Sequence, residues 1–378
     1  MARPFSLLVK PAGPDCNLAC TYCFYLSKSS LFGRQLHRMS TQVLEAMTAA
    51  YMATDQPVYT FGWQGGEPTL MGVEFYRKAV ALQKRYGRPG AQVANGLQTN
   101  GTRITDELAA LFAEYRFLIG VSIDGPPELH DHYRPYESGR NSHAEVLRGV
   151  ERLRAHGVEH NVLTVVNAHT VEHPRTLYRY LKYLGFEYHQ YIPCVEYEPD
   201  GTLRPYSIDG PRWGRFLREL YDEWAHDPEP ASIRHIDALM QHALGGPPAM
   251  CSLASSCRQY FVVEHTGDVY PCDFFVSEDM KLGNVQTHRF GQMWQSPLFK
   301  QFGQLKRMLP DECRQCEYLS WCRGDCPKHR VGGATNPVAV MQTASEPPVS
   351  TLCSGWKDFF ATSLTDIQRQ ARMRAQGS

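Results

Sequence analysis

An α/β fold built on a parallel sheet and followed by a cysteine-rich segment is what this sequence predicts. Three observations carry that reading. From residue 5 to about residue 195, short β-rich runs alternate with amphipathic helical stretches, a pattern that implies right-handed βαβ units. The unusual motifs follow the ends of the β-rich runs, and ligands in such folds bind at the carboxyl ends of the strands. Eight of the twelve cysteines lie beyond residue 250, which marks a change of architecture.

The β-rich runs are FSLLVK (5–10), VYTFGW (58–63), VANGLQTN (93–100), FLIGVSID (117–124), NVLTVV (161–166) and YHQYIP (188–193). Between them lie TQVLEAMTAAYM, FYRKAVALQKRY, TDELAALFAEY, HAEVLRGVERLRAHG and PRTLYRYLKYLG, with apolar residues at helical spacing. Gly157 and Gly185 follow two of these stretches, as helix stops do. Six strands are too few for a closed eightfold barrel. An open six-stranded barrel and a flat doubly wound sheet both fit the alternation. After residue 195 the alternation ends. Residues 211–226 and 232–244 read as helices, 250–330 as a cysteine-rich segment, GGATNPVAVMQTASEPPVS as a polar loop, and about 353–373 as a last helix. The expected division is therefore 1–200, a helical linker 201–250, and 251–378.

Bulk properties narrow the function. Lys plus Arg and Asp plus Glu are 39 each, so no net field draws the chain to nucleic acid or an anionic membrane. The apolar stretch near the N-terminus is too short for a signal peptide, and no run is long enough to span a bilayer. A cytoplasmic location is expected. There, dense cysteines bind metal more often than they form disulfides.

The first run is followed by PDCNLACTYCFYL, which places Cys16, Cys20 and Cys23 on one loop. Three thiolates and a vacant fourth position suit an iron–sulfur cluster with one iron not held by protein, whereas a closed structural site uses four ligands. A zinc loop is the plainer alternative.

Cys-x3-Cys-x2-Cys, with Tyr22 before the third cysteine, resembles the radical S-adenosylmethionine (SAM) enzymes, and the resemblance extends over nearly the whole chain. It implies an open partial (βα)6 barrel. It also implies that the amino and carboxylate groups of S-adenosylmethionine chelate the fourth iron, and that reductive cleavage yields a 5′-deoxyadenosyl radical. Gly65-Gly66-Glu67-Pro68 resembles the family motif that meets the methionine amino group, with Glu67 offering a carboxylate to an ammonium. Family matching places Ser122 and Arg134 at the cofactor and Val195 near the adenosine; Gln98 and Asn100, in the QTN stretch, would face the cavity. Each has a plainer reading: a turn, a surface charge, or core.

The C-terminal third resembles, position for position, the SPASM extension of these enzymes. The resemblance implies one 4Fe–4S cluster on Cys251, Cys257, Cys272 and Cys326, and another on Cys313, Cys316, Cys322 and Cys353. Two zinc sites are the alternative. With the first loop this makes three 4Fe–4S clusters, and Cys194 is left over.

CTYCFYL, WQGGEPTLMG, LQTNGT, VSIDGP, FVVEHTGDVYPCDFFV and CRGDCPKHR are most similar to the anaerobic sulfatase-maturating enzymes. That resemblance implies oxidation of a cysteine or serine in a nascent sulfatase to Cα-formylglycine, by hydrogen abstraction from Cβ. The target would be an unfolded Cys/Ser-x-Pro-x-Arg segment, and a flavodoxin- or ferredoxin-type donor would supply electrons. Asp273, directly after Cys272, matches the base that takes the thiol or hydroxyl proton. Tyr25, Trp63 and Phe274 can line a peptide channel or fill the core. His130, His132, His169 and His173 read as surface or loop positions. The alternatives are another SPASM peptide maturase, such as a thioether-forming one, and a zinc-stabilised binding module without catalysis. Thioether-forming maturases often carry an N-terminal recognition domain, for which a first strand at residue 5 leaves no room.

Overall fold

The structure is a computed structural model and describes residues 4–33, 35–247 and 250–376. Its strands, in chain order, are β1 (Ser6–Lys10), β2 (Tyr59–Trp63), β3 (Val93–Thr99), β4 (Leu118–Ser122), β5 (His160–Val166), β6 (Tyr188–Pro193), β7 (Ser232–Ile233), β8 (Tyr260–Glu264), β9 (Asp268–Tyr270) and β10 (Gly283–Asn284). The six strands expected from the sequence are β1 to β6. The chain forms two compact units: the first runs up to Ser122 and includes Asp131–His160 and Arg258–Phe302, and the second holds Ile123–His130, Asn161–Cys257 and the chain from Gly303 onward.

In the first unit the strand order is β10-β9-β8-β1-β2-β3-β4. β1, β2, β3 and β4 pair in parallel, as the alternation requires. The sequence did not foretell β8, which comes from the cysteine-rich segment and lies parallel to β1 from Ser6↔Tyr260 to Lys10↔Glu264. Its run YFVVE is apolar enough to be buried on both faces, as parallel strands are. The core is built from Leu7, Val9, Phe61, Trp63, Ile119, Val121, Phe261 and Val263, all 2% exposed or less. Helix Thr41–Met52 has the bounds the periodicity predicts, and Ser40 caps it by accepting from the Val43 amide at 3.2 Å.

In the second unit β5, β6 and β7 pair in parallel. Helix Cys353–Gln376 packs on helix Gly210–Ala225. A Cβ at Gly355 would stand 2.2 Å from the Gly210 carbonyl oxygen, so the two backbones touch where no side chain fits. The polar loop expected at 332–350 contains a helix, Pro337–Thr343. Asn336 nucleates it by accepting from the Ala339 amide at 3.0 Å, and Pro337 supplies the fixed φ of the first turn. His130 is also unlike its expected surface position. It is fully buried, and its Nδ1 accepts from the Asp124 amide at 3.2 Å. Among the described residues no helix is long and apolar enough to cross a membrane.

Candidate functional site

β1 ends at Lys10, and the chain turns at once into the cysteine loop. The Gly13 amide returns to the Lys10 carbonyl at 3.1 Å, and the Asp15 amide to the Ala12 carbonyl at 3.1 Å. The loop is then pinned from outside: the Ala19 amide donates to Pro135 at 2.9 Å and the Thr21 amide to Tyr133 at 3.0 Å. Cys16, Cys20 and Cys23 are all partly exposed on this braced loop, and the Cys23 amide closes a turn onto the Cys20 carbonyl at 3.0 Å. Burial, with help from the charge of Glu67, pushes the Cys16 thiol up to about 12. It therefore keeps its proton until a metal displaces it.

The loop after β2 lies directly against the cysteine loop. The Gly66 amide donates to the Gly13 carbonyl at 2.8 Å and the Glu67 amide to the Asp15 carbonyl at 2.7 Å. A Cβ on Gly66 would stand 2.0 Å from the Asp15 oxygen. The close approach that this glycine permits is thus to the chain's own backbone. Glu67 is fully buried, and its carboxylate accepts from the Thr69 amide (2.9 Å), the Thr69 hydroxyl (2.6 Å), the Thr99 hydroxyl (2.8 Å) and the Asn100 amide (2.8 Å). Burial raises its proton affinity, and these hydrogen bonds oppose that rise. Glu67 was expected to offer its carboxylate to an ammonium. In the structure it clamps the end of β2 to the end of β3.

Asn100 ties β3 to the cysteine loop, donating from Nδ2 to Asn17 Oδ1 at 3.0 Å and to Cys16 Sγ at 3.7 Å. The β3–β4 register pairs Thr99 with Val121 and so brings Ser122 abreast of Asn100. Arg134, 6% exposed, donates to the Tyr22 hydroxyl at 2.7 Å beside Cys23. The expected residues Tyr22, Gly65, Gly66, Glu67, Gln98, Asn100, Ser122 and Arg134 therefore stand along one rim of one unit with the three cysteines. Val195 lies in the second unit as a buried residue after β6, with Cys194 buried beside it.

A row of polar side chains crosses the same rim, and sequence reasoning missed Lys10, Gln64 and Tyr260 in it. Gln64 donates to Gln98 at 2.8 Å; Lys10 donates to Gln64 at 3.0 Å and meets Asp273 Oδ2 at 3.3 Å. Lys10 is 1% and Asp273 8% exposed, so this is a buried ion pair. The Lys10 ammonium also lies 4.5 Å from the centre of the Tyr25 ring, and the Tyr25 hydroxyl donates to the fully buried Glu264. Tyr260 reaches both Cys272 Sγ (3.2 Å) and Asp273 Oδ1 (3.3 Å). One available signal was Lys10 itself, a charge that closes an apolar strand run. Tyr25 and Trp63 are core residues, whereas Phe274 is partly exposed against Phe24 at 4.7 Å.

In the second unit, Cys313, Cys316, Cys322 and Cys353 line one pocket together with Asp325, Ser350 and Trp356. Arg323, Gly324 and Asp325, between Cys322 and Cys326, all have left-handed φ (51°, 72° and 56°). The turn holds because Asp325 accepts from His329 Nδ1 and Ser350 Oγ, each at 2.7 Å. Burial alone would raise the Asp325 carboxyl, but His329, Ser350 and Lys306 hold it well below its usual range. Cys326 lies within electrostatic reach of Cys251 and Cys257. No disulfide joins cysteines among the described residues. No group of three His, Cys, Asp or Glu side chains among them is drawn together around a single metal ion; the four pocket thiols instead surround a space.

Comparison with known proteins gives the family. The model of the radical SAM superfamily matches residues 11–181, and that of the SPASM iron–sulfur cluster-binding domain matches residues 251–317. The chain is 37% identical to the serine-type anaerobic sulfatase-maturating enzyme of Bacteroides thetaiotaomicron, over 95% of this chain and 89% of that one. It is 35% identical to the cysteine-type enzyme of Clostridium perfringens, over 94% and 95%. A solved structure of native anSMEcpe with bound AdoMet and Kp18Cys peptide superposes with a TM-score of 0.90 at 34% identity, covering 98% of this chain and 99% of that one. With likeness of this extent in both sequence and fold, the chain belongs to the radical SAM superfamily, in the family of the anaerobic sulfatase-maturating enzymes.

Proposed function

We propose that this chain oxidises a cysteine or serine of a sulfatase segment, of the form Cys/Ser-x-Pro-x-Arg, to Cα-formylglycine. The observation that carries this reading is a braced three-thiol loop on the same rim as a buried carboxylate, in a chain that matches sulfatase-maturating enzymes almost end to end. The donor set fits the cofactors. Cys16, Cys20 and Cys23 would hold a 4Fe–4S cluster and leave one iron open for S-adenosylmethionine. Arg134 is suited to the cofactor carboxylate. When bound and reduced, this pair would supply hydrogen-atom abstraction at the target Cβ, and an iron–sulfur cluster would take the second electron of the oxidation.

The chain's own residues do the rest. Asp273 takes the thiol or hydroxyl proton of the target. Lys10 fixes Oδ2 of that carboxylate, and Gln64 and Gln98 continue the polar row along the rim. The apolar core under β1, β2 and β8 keeps water from this side of the row. Cys313, Cys316, Cys322 and Cys353 would hold one auxiliary cluster. Cys251, Cys257 and Cys326 would serve the other, with Cys272 the fourth ligand that the resemblance implies. A flavodoxin- or ferredoxin-type protein is the electron donor, and the cytoplasm, where thiols stay reduced, is the location.

The test is anaerobic incubation of the reconstituted chain with S-adenosylmethionine, a reductant and a synthetic peptide bearing Cys-x-Pro-x-Arg or Ser-x-Pro-x-Arg. Mass spectrometry then reports exchange of hydrogen sulfide for water with oxidation, or loss of two hydrogens. Asp273→Asn should still cleave the cofactor while formylglycine yield drops by roughly 10²-fold or more, the scale of general-base loss. Normal turnover by that variant would remove Asp273 from the base role.

A further inference from the structure

Two cations are buried in the cysteine-rich part of the second unit, and neither forms a direct salt bridge with a carboxylate among the described residues. Arg330 is 4% exposed. It donates only to backbone carbonyls: Pro348 at 2.9 Å, Leu305 at 3.2 Å, and Met308. Lys306 is 3% exposed and donates to the carbonyls of Ser252 (2.7 Å) and Asp325. The nearby carboxylate of Asp325 accepts from His329 and Ser350 and acts on Lys306 and Arg330 by charge at longer range. Neutral donors could hold these carbonyls without the cost of desolvating a charge. One carboxylate balances at most one of the two buried cations, so further negative charge is called for at the same place.

The cysteines are the groups able to bring it. Arg330 feels Cys313, Asp325, Cys257 and Cys326, and Lys306 feels Cys257 and Asp325. A protonated cysteine thiol carries no charge. A thiolate-ligated iron–sulfur cluster, by contrast, is anionic and gains further negative charge on reduction. Arg330 interacts electrostatically with cysteines of both sets, and Lys306 donates to the carbonyls of Ser252 and Asp325, the chain neighbours of Cys251 and Cys326.

We propose that Arg330 and Lys306 are the buried counter-charges of the auxiliary clusters, Arg330 shared by both and Lys306 belonging to the one on Cys257 and Cys326, and that they raise the reduction potentials of those clusters. The inference rests on the auxiliary-cluster reading above. Net charge and hydrogen bonding around a cluster are what set its potential. An adjacent fixed cation stabilises the reduced state more than the oxidised one, because the reduced state carries the extra electron.

The experiment is an anaerobic potentiometric titration of the full reconstituted chain, followed by electron paramagnetic resonance, with iron measured on every sample. The parent should hold about twelve irons, three clusters of four. About four would sink the auxiliary-cluster reading before any variant is made. Arg330→Gln should lower both auxiliary potentials by about tenfold in the reduced-to-oxidised ratio, which is ~59 mV for one electron. Lys306→Gln should lower one auxiliary potential more than the other. Arg330→Lys and Lys306→Arg, which keep the charge, should leave the potentials close to the parent. Should Arg330→Gln lose iron, Lys306→Gln with its Arg control decides the matter. Full iron content with unmoved potentials overturns the proposal. Equal shifts from the Gln and the charge-keeping variants also overturn it, since packing and not charge would then be the cause.

Discussion

Replacing Lys10 by methionine keeps the length and the apolar stem of the side chain and removes its charge. In the structure that charge sits 3.3 Å from Asp273 Oδ2 and 3.0 Å from Gln64 Oε1, at 1% exposure. At 3.3 Å and an effective dielectric of ~20, the attraction is about 5 kcal/mol before the desolvation of both ions is subtracted. Removing one partner of a buried pair typically costs about 3–5 kcal/mol, because the remaining ion is left buried and alone. Part of that cost should appear as a lowered unfolding midpoint. The rest should appear at the reaction, because Asp273 loses the contact that fixes Oδ2 and keeps the long Tyr260 and Cys272 contacts, both at Oδ1. A loss of about 3 kcal/mol in the productive step corresponds to roughly 10²-fold. The assay counts 5′-deoxyadenosine and formylglycine in the same reaction. In Lys10→Met the first should continue and the second should fall, so that the ratio of cofactor cleaved to peptide oxidised rises steeply. Lys10→Arg should recover part of the coupling. A folded, fully iron-loaded Lys10→Met protein with the parent's ratio would refute the view that this ammonium positions Asp273.

Gly66→Ala would put a methyl group 2.0 Å from the Asp15 oxygen, so the loop after β2 must move off the cysteine loop. Iron should fall from about twelve towards about eight as the N-terminal cluster is lost, measured by iron assay and by failure to cleave the cofactor, while the auxiliary signals persist. His189 tests the electrostatics of the second unit. It is 2% exposed, and burial depresses it from 6.5 to about 4. The unfolded chain therefore binds the proton more readily. The stability tied to neutral His189 is complete above about pH 6.5 and is lost as the pH falls toward 4. Between pH 7 and 5 this amounts to about 2 kcal/mol. His189→Gln should lose correspondingly less stability over that interval in anaerobic urea titrations, and an identical pH dependence in both proteins would count against it.

Much of the fold could be read along the chain because it is local. Helix Thr41–Met52 and strands β1 to β6 follow from side-chain periodicity within a single element. The short helix Pro337–Thr343 escaped because one cap and one proline set it inside a polar stretch too short to show a period. The buried place of His130 escaped for another reason: its partner is the Asp124 backbone amide, which sequence does not display. At the site, Cys16, Cys20 and Cys23 stood out by type and spacing, and Glu67, Asn100 and Asp273 by the family resemblance. Gln64, Tyr260 and Glu264 did not, since each is ordinary in its own neighbourhood.

By itself the sequence determined which segments are strands and helices, and that three thiols share one loop after the first strand. Both are set by contacts between residues near one another in the chain. Only the tertiary structure decided that β8 lies beside β1, that Glu67 serves as a clamp, and that Lys10 meets Asp273 across 263 positions of sequence. A charge removed from water must find its partner wherever the folded backbone brings one, and nothing local to a lysine specifies which carboxylate that is.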